Sequence, residues 1–107
     1  MYTRVVEINV RSGKAGELAS TIHEKVLPIL KKQTGFVDET VLISDTEPNR
    51  VIGLSFWNRK EDAERYHRDQ YPRVNEILSP LLESAPAIRT FDVHTSTQHR
   101  IAAGKAA

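Results

Sequence analysis

Phe36-Val37-Asp38-Glu39-Thr40-Val41-Leu42-Ile43-Ser44, then Asp45-Thr46-Glu47-Pro48-Asn49, then Arg50-Val51-Ile52-Gly53-Leu54-Ser55-Phe56-Trp57: residues 36–57 decide the fold. Both flanking runs alternate. Val37, Val41 and Ile43 interleave with Phe36, Asp38, Thr40 and Leu42, while Ile52, Leu54 and Phe56 stand opposite Val51, Gly53, Ser55 and Trp57. A period of two is the signature of strands. Asp, Pro and Asn between the runs favour a turn, so the two strands form a hairpin.

Working outward toward the amino terminus, the period changes to that of a helix. Ala15, Leu18, Ile22, Val26, Ile29 and Leu30 form one apolar stripe of an amphipathic helix of about five turns. Lys31 and Lys32 suit the negative end of its dipole, and Gly35 stops it. Pro28 lies inside this helix, where it removes a backbone donor and is expected to bend the axis. Ahead of the helix, residues 2–10 alternate again: Tyr2, Arg4, Val6, Ile8 and Val10 on one side, Thr3, Val5, Glu7 and Asn9 on the other. Beyond the hairpin, Asn58 followed by Glu61 predicts a reciprocal helix cap, with Ala63, Tyr66, His67 and Gln70 along one side of the helix it starts. Pro72 opens a further helical segment that carries Val74, Ile77, Leu78, Leu81 and Leu82 inward. Residues 87–95 read as a last strand, Ile88, Thr90, Asp92 and His94 alternating with Arg89, Phe91, Val93 and Thr95.

The order strand, helix, strand, strand, helix, strand predicts an α+β, ferredoxin-like fold. Its four-stranded antiparallel sheet carries both helices on one face. Residues 1–95 form one domain. Residues 96–107 read as a small polar tail, expected to contact a partner subunit through Ile101. Helices cover only one face, yet the strands carry apolar residues on both, whereas a sheet open to water alternates apolar and polar. A second copy of the same sheet, related by a two-fold axis, is the economical cover.

Composition narrows the chemistry. The chain has 107 residues, 39% of them hydrophobic, with 15 Lys and Arg against 14 Asp and Glu and no Cys. A net charge of +1 gives no basic face for nucleic acid. The absence of Cys removes disulfides, thiolate metal sites and cysteine nucleophiles. No apolar run approaches the roughly 20 residues that span a bilayer, and the opening sequence lacks a signal core, so a cytoplasmic location is expected. The histidines His23, His67, His94 and His99 show no metal-ligand spacing, and no glycine-rich phosphate loop exists. The expectation is a protein without metal or cofactor.

What remains is an aromatic and imidazole cluster: Trp57, Tyr66, His67 and Tyr71. Trp57 and Tyr66 serve equally as core residues with a polar tip, and His67 as a boundary residue. The alternative is a substrate pocket with His67 handling a proton near neutrality. Glu7, Asn9, Asp38 and Glu39 are polar positions in otherwise apolar strands, and any that face inward become pocket groups. Glu7 is a second candidate for the proton, Asn9 for substrate binding. Arg89 either counters a phenolate or pairs with Asp38 or Glu39 across the sheet.

Gly35-Phe36, the segment Gly53-Leu54-Ser55-Phe56-Trp57 continuing into Asn58-Arg59-Lys60-Glu61-Asp62-Ala63, and Tyr66 nine residues beyond Trp57 resemble the antibiotic biosynthesis monooxygenase family of the dimeric α/β barrel class. The resemblance implies a homodimer with sheets packed face to face and a pocket between sheet and helices in each subunit. It also implies oxidation of a small phenolic or quinol-like aromatic by molecular oxygen, with the deprotonated substrate as electron donor and no cofactor. On that reading Trp57, Tyr66, Tyr71, Asn9 and Arg89 bind substrate, and His67 or Glu7 handles a proton. Many quinol-oxidising relatives carry His where Tyr66 stands and an acidic residue where Ser55 stands, so their base is not carried over. The alternative from another class is a non-catalytic dimeric domain that binds a small molecule. A third reading, haem degradation, is opposed by Tyr66 and Glu76, which stand where that branch has a Trp and a haem-ligating His.

Overall fold

In a computed structural model, which describes residues 1–99, the chain folds as a four-stranded antiparallel sheet with helices on one face. Strand β1 spans Tyr2–Asn9, β2 Phe36–Ile43, β3 Arg50–Trp57 and β4 Ala87–Asp92. Their order across the sheet is β2-β3-β1-β4, the ferredoxin-like arrangement expected from the two strand–helix–strand units. β1 is central and pairs on both sides: Arg4 lies opposite Ser55 of β3 and opposite Thr90 of β4.

The first long helix is not uniform. It runs as α1 (Ala15–Thr21), a π-helical turn (Ile22–Val26) and α2 (Leu27–Lys31). Within the widened turn the Leu27 amide bonds the carbonyl of Ile22, five residues back. Pro28 gives the reason. Its ring crowds the carbonyl four residues earlier and it has no N–H to donate, so the hydrogen bonding ahead of it widens into a π-helical turn. The apolar stripe survives, with Leu18, Ile22, Val26 and Leu30 all buried.

The cap predicted at Asn58 does not form. Helix α3 begins at Lys60 and ends at Asp69, its N-cap is the extended Arg59, and no side chain caps it. Asn58 is committed elsewhere, its amide donating to the Gly35 carbonyl at 2.8 Å. Asp62 in the first helical turn is buried between Arg59 (3.7 Å) and Arg65 (3.2 Å). Gly35 has a φ of 82°, and a Cβ there would run into the Asp62 side chain, so this junction requires glycine. Helix α4 (Tyr71–Leu78) follows, with a proline in its first turn as expected, then a short 3₁₀ turn at Ser79–Leu81.

One register detail moves a large side chain. The β2–β3 ladder shifts between Phe36 and Asp38, leaving Val37 as the extra residue. The bulge turns Phe36 toward the helices, where its ring meets Trp57 edge-on at 5.6 Å. Simple alternation had placed Phe36 on the opposite face from Val41. Because a bulge reverses the facing on one side of itself, both residues belong to the core. Trp57, Val51 and Leu18 are the most completely enclosed large side chains.

The other face is only half covered. Leu42 is 47% exposed and Phe91 50%, and Ile52, Leu54 and Phe56 are intermediate. The start of the tail folds back over this face: the His99 ring lies 5.1 Å from that of Phe56, and its Nε2 is 3.3 Å from Asp38. Ile101, expected to reach a partner, lies outside the described residues. No helix among the described residues is long and apolar enough to cross a membrane.

Candidate active site

Residues opposite one another in an antiparallel ladder point to the same face. Thr90, Arg4, Ser55 and Glu39 therefore form one polar row across all four strands, on the face the helices cover. The next row, Ile88, Val6, Gly53 and Val41, is apolar and contains the one strand position without a side chain. A Cβ at Gly53 would meet nothing within 4 Å, so the missing side chain leaves open space. That space is part of a cavity of about 60 Å³ between sheet and helices. Its floor includes Arg4, Gly53 and Glu39, and its walls include Ile22, Val26, Tyr66 and Tyr71. Such a volume holds a few waters, and a fused polycycle far exceeds it. A second, wider groove of about 540 Å³ adjoins it, and its lining includes Tyr2, Arg4, Lys60, Glu64, His67 and Thr90. Arg4 belongs to both.

Arg4 is the electrostatic centre. It is 3% exposed, and no carboxylate lies within ion-pair distance of it among the described residues. Its guanidinium sits over the Tyr71 ring at 4.7 Å and over the Tyr66 ring at 5.1 Å, cation–π contacts that offset part of the cost of burial. Burial draws its pKa down, opposed by the phenol groups of Tyr66 and Tyr71, but a guanidinium stays protonated in any case. One nitrogen donates to Nδ1 of His67 at 3.0 Å.

That bond fixes what His67 can do. Because arginine only donates, Nδ1 must be the acceptor and the ring proton sits on Nε2. Partial burial and then the charge of Arg4 pull the His67 pKa below its usual value, so the ring is neutral at pH 7. Its basic lone pair is already engaged. The imidazole stacks on Tyr71 with centroids 5.3 Å apart and faces the outer groove.

The two tyrosines remain phenols. Burial pushes Tyr66 up to about 12, against the opposing pull of Arg4, and burial also raises Tyr71. Glu39 is raised too: burial comes first, the neighbouring charge of Asp38 adds to it, and His23 on the π-helical turn opposes it. Its Oε2 is buried without a hydrogen-bond partner.

The structure thus gathers Tyr66, Tyr71 and His67 around Arg4. Trp57 stands behind them at 0% exposure, its ring 5.1 Å from that of Tyr66 and its Nε1 donating to Ser55 Oγ at 2.9 Å. It braces the site from the core. Glu7, Asn9 and Arg89 are not brought to the cavity. They belong to the opposite face, where Glu7 bridges Arg50 (3.3 Å) and Arg89 (3.7 Å) and Asn9 is exposed at the strand end. The expected pairing of Arg89 with Asp38 or Glu39 does not occur, because β2 and β4 are opposite edges of the sheet. Arg4 was the residue that pattern reading passed over. Its signal was a charge standing alone in the apolar alternation of Tyr2, Arg4, Val6, Ile8 and Val10. Among the described residues no cluster of three or more His, Asp or Glu is arranged to hold a metal ion.

Residues 1–72 match the family described as antibiotic biosynthesis monooxygenase. This chain belongs to that family. Solved structures agree on the architecture of this monooxygenase-family domain. It is similar to a monooxygenase of Streptomyces coelicolor in complex with nanaomycin D, at 18% identity and a TM-score of 0.77, covering 89% of this chain and 88% of that one. It is also similar to SnoaB, a cofactor-independent oxygenase from Streptomyces nogalater, at 19% identity and a TM-score of 0.74, covering 92% and 97%. A conserved protein from Methanosarcina mazei is 22% identical with a TM-score of 0.69, covering 85% and 91%. At these identities the likeness is one of fold. No curated protein matches the chain.

Proposed function

We propose that this member of the family is a cofactor-independent monooxygenase that oxidises a small phenolic or quinol-like aromatic with molecular oxygen, acting as a cytoplasmic homodimer. The observation that carries this reading is Arg4, a buried cation without an ionic partner among the described residues, at the edge of an apolar cavity. Such a group is costly unless an anion joins it, and a deprotonated phenol is that anion. Family membership, and the description of SnoaB as a cofactor-independent oxygenase, point the same way.

On this reading the electrons come from the substrate. For a hydroquinone the balance is quinol plus O₂ giving hydroxyquinone plus water: one oxygen atom enters the ring and the other leaves as water with two substrate hydrogens. The protein stabilises the phenolate through Arg4, keeps water from the reacting anion with Ile22, Val26 and Tyr66, and orients the ring. Neutral His67 presents Nε2–H toward the groove as a donor. Tyr66 and Tyr71 line the site, and Trp57 fixes Tyr66.

The same proposal covers assembly. The partly exposed apolar patch of Leu54, Phe56 and Phe91 supports a second sheet packed on the open face, with residues 1–95 as the domain and the tail at the dimer contact. Purified, metal-free protein is expected to consume oxygen with hydroquinones or anthrone-like phenols well above the spontaneous rate. Binding without turnover across such a panel would favour the binding-domain reading, and neither binding nor turnover would refute both.

A further inference from the structure

His67 is poorly placed to take a proton, since its only basic lone pair is bonded to Arg4 and it opens to the outer groove. The inner cavity holds another acceptor. Glu39 faces the helices, in alternation with Val41 and Ile43, and it lies opposite Ser55, which in turn lies opposite Arg4. With neighbouring strands about 4.8 Å apart, the Glu39 and Arg4 backbones are two strand spacings, roughly 10 Å, from each other. The two side chains make no ion pair. Arg4 leans toward Tyr71 and His67, while Glu39 keeps one buried oxygen without a partner. A cation and a carboxylate thus occupy the two ends of one apolar space, each lacking an ionic partner among the described residues.

We propose that Glu39 is the proton acceptor of this site and that Arg4 holds the far end of the same ligand, which is a single-ring arene bearing oxygen at both ends. This rests on the reading of the cavity as a phenol-oxidising site and names its substrate class. The O–H bond at the Glu39 end breaks, the proton goes to the free carboxylate oxygen, and the electron pair stays on the substrate. Where the far oxygen belongs to a conjugated acceptor, as in para-nitrophenol, the negative charge spreads to the oxygen at Arg4; in a quinol it spreads over the ring, and Arg4 donates hydrogen bonds to the far hydroxyl oxygen. Oxygens in para relation point in opposite directions from one ring, matching a carboxylate and a guanidinium that both line the cavity from separate strands. A ring needs more room than the free cavity offers, and half-buried Tyr71, which lines the cavity and stacks on His67 of the groove, is the side chain whose rotamer change supplies it. The groups facing Glu39 are His23 on the π-helical turn and Tyr66 on α3, while the charge of Asp38, its strand neighbour, acts from the opposite face. Burial raises its affinity for a proton above that of a free carboxylate, the direction that favours a base.

The test uses para-nitrophenol, which has oxygen at both ends, reports ionisation by its yellow phenolate and is not oxidised by O₂. Titrated into the full-length protein at pH values above the Glu39 pKa and below that of free para-nitrophenol, it is expected to turn yellow on binding, with an affinity independent of pH, because the proton stays in the complex on Glu39. In Glu39→Gln the phenolate binds only by releasing a proton to solvent, so affinity rises about tenfold per pH unit. Arg4→Gln is expected to abolish the colour. Thermal unfolding confirms that both variants fold, and Glu39→Asp, with a shorter reach, is expected to fall between wild type and Glu39→Gln. Identical pH dependence in wild type and Glu39→Gln, or no binding to wild type, would overturn the proposal. Oxygen uptake is measured separately, so a protein that ionises para-nitrophenol through Glu39 but consumes no oxygen refutes the oxidation and leaves the site. One that consumes oxygen with an unchanged pH profile in Glu39→Gln refutes the site and leaves the oxidation.

Discussion

The two faces of the sheet each carry an arginine among apolar side chains, and the two arginines differ in almost every physical respect. Arg4 on the helix-covered face is 3% exposed, lies over two aromatic rings and has no carboxylate partner among the described residues. Arg89 on the open face is exposed and shares Glu7 with Arg50. A shared, solvent-exposed ion pair is worth little and is already satisfied. A buried, unshared cation is a standing demand for an anion. Under the proposed function the difference separates a chemical face from an assembly face, although both look similarly apolar in the alternation of the strands.

The largest expected effect deepens the contrast in packing. Trp57→Ala removes a fully enclosed ring that contacts Phe36 and Tyr66, and should cost about 3–5 kcal/mol in denaturant unfolding. Phe56→Asp on the open face should leave the monomer fold in place by circular dichroism but weaken dimerisation about a hundredfold or more by light scattering. A dimer undisturbed by Phe56→Asp would break the assignment of that face to assembly. Gly35→Ala is expected to cost about 1–3 kcal/mol, through its positive φ and the collision with Asp62. Gly53→Ala differs in sign. With open space above it, the change should stabilise the fold by about 0.5–1 kcal/mol while reducing ligand affinity, because it fills the cavity floor.

The smallest effect is the pH dependence of stability on the chemical face. The folded pKa of His67 is lowered, so its contribution is complete above the unfolded value of 6.5 and is lost as the pH falls through that value. Glu39 runs the other way. Its folded pKa is raised, so the unfolded chain ionises first and stability declines as the pH rises above 4.5 until the folded group ionises as well. His67→Gln should flatten the first limb and Glu39→Gln the second, both read from urea midpoints across pH.

Most of the scaffold is legible in the sequence because it depends on local periodicity. The hairpin of residues 36–57, the stripe from Leu18 to Leu30 and the proline at the start of α4 are each local signals. The missed features depend on non-local geometry. The bulge at Val37 places Phe36 on the helix face, and nothing within the β2 run announces an extra residue. The cap at Asn58 does not form because α3 starts later, with Arg59 at its N-cap, and the Asn58 backbone N–H donates to the carbonyl of Gly35, far away in the chain. For the site, Tyr66, His67 and Tyr71 were readable as a cluster because they share adjacent helices. Glu7 and Arg89 were candidates only by residue type, and strand order decides that they meet each other on the open face. Arg4 sat in plain view as the one charge in an apolar alternation.

The most direct measurement compares the two arginines under one assay. Oxygen uptake with the best quinol of a panel should fall about a hundredfold or more in kcat/KM for Arg4→Gln, the loss typical of removing a buried anion-stabilising donor, and change less than about twofold for Arg89→Gln. Equal losses in both variants, or full activity in Arg4→Gln, would contradict the division of the sheet into a chemical face and an assembly face.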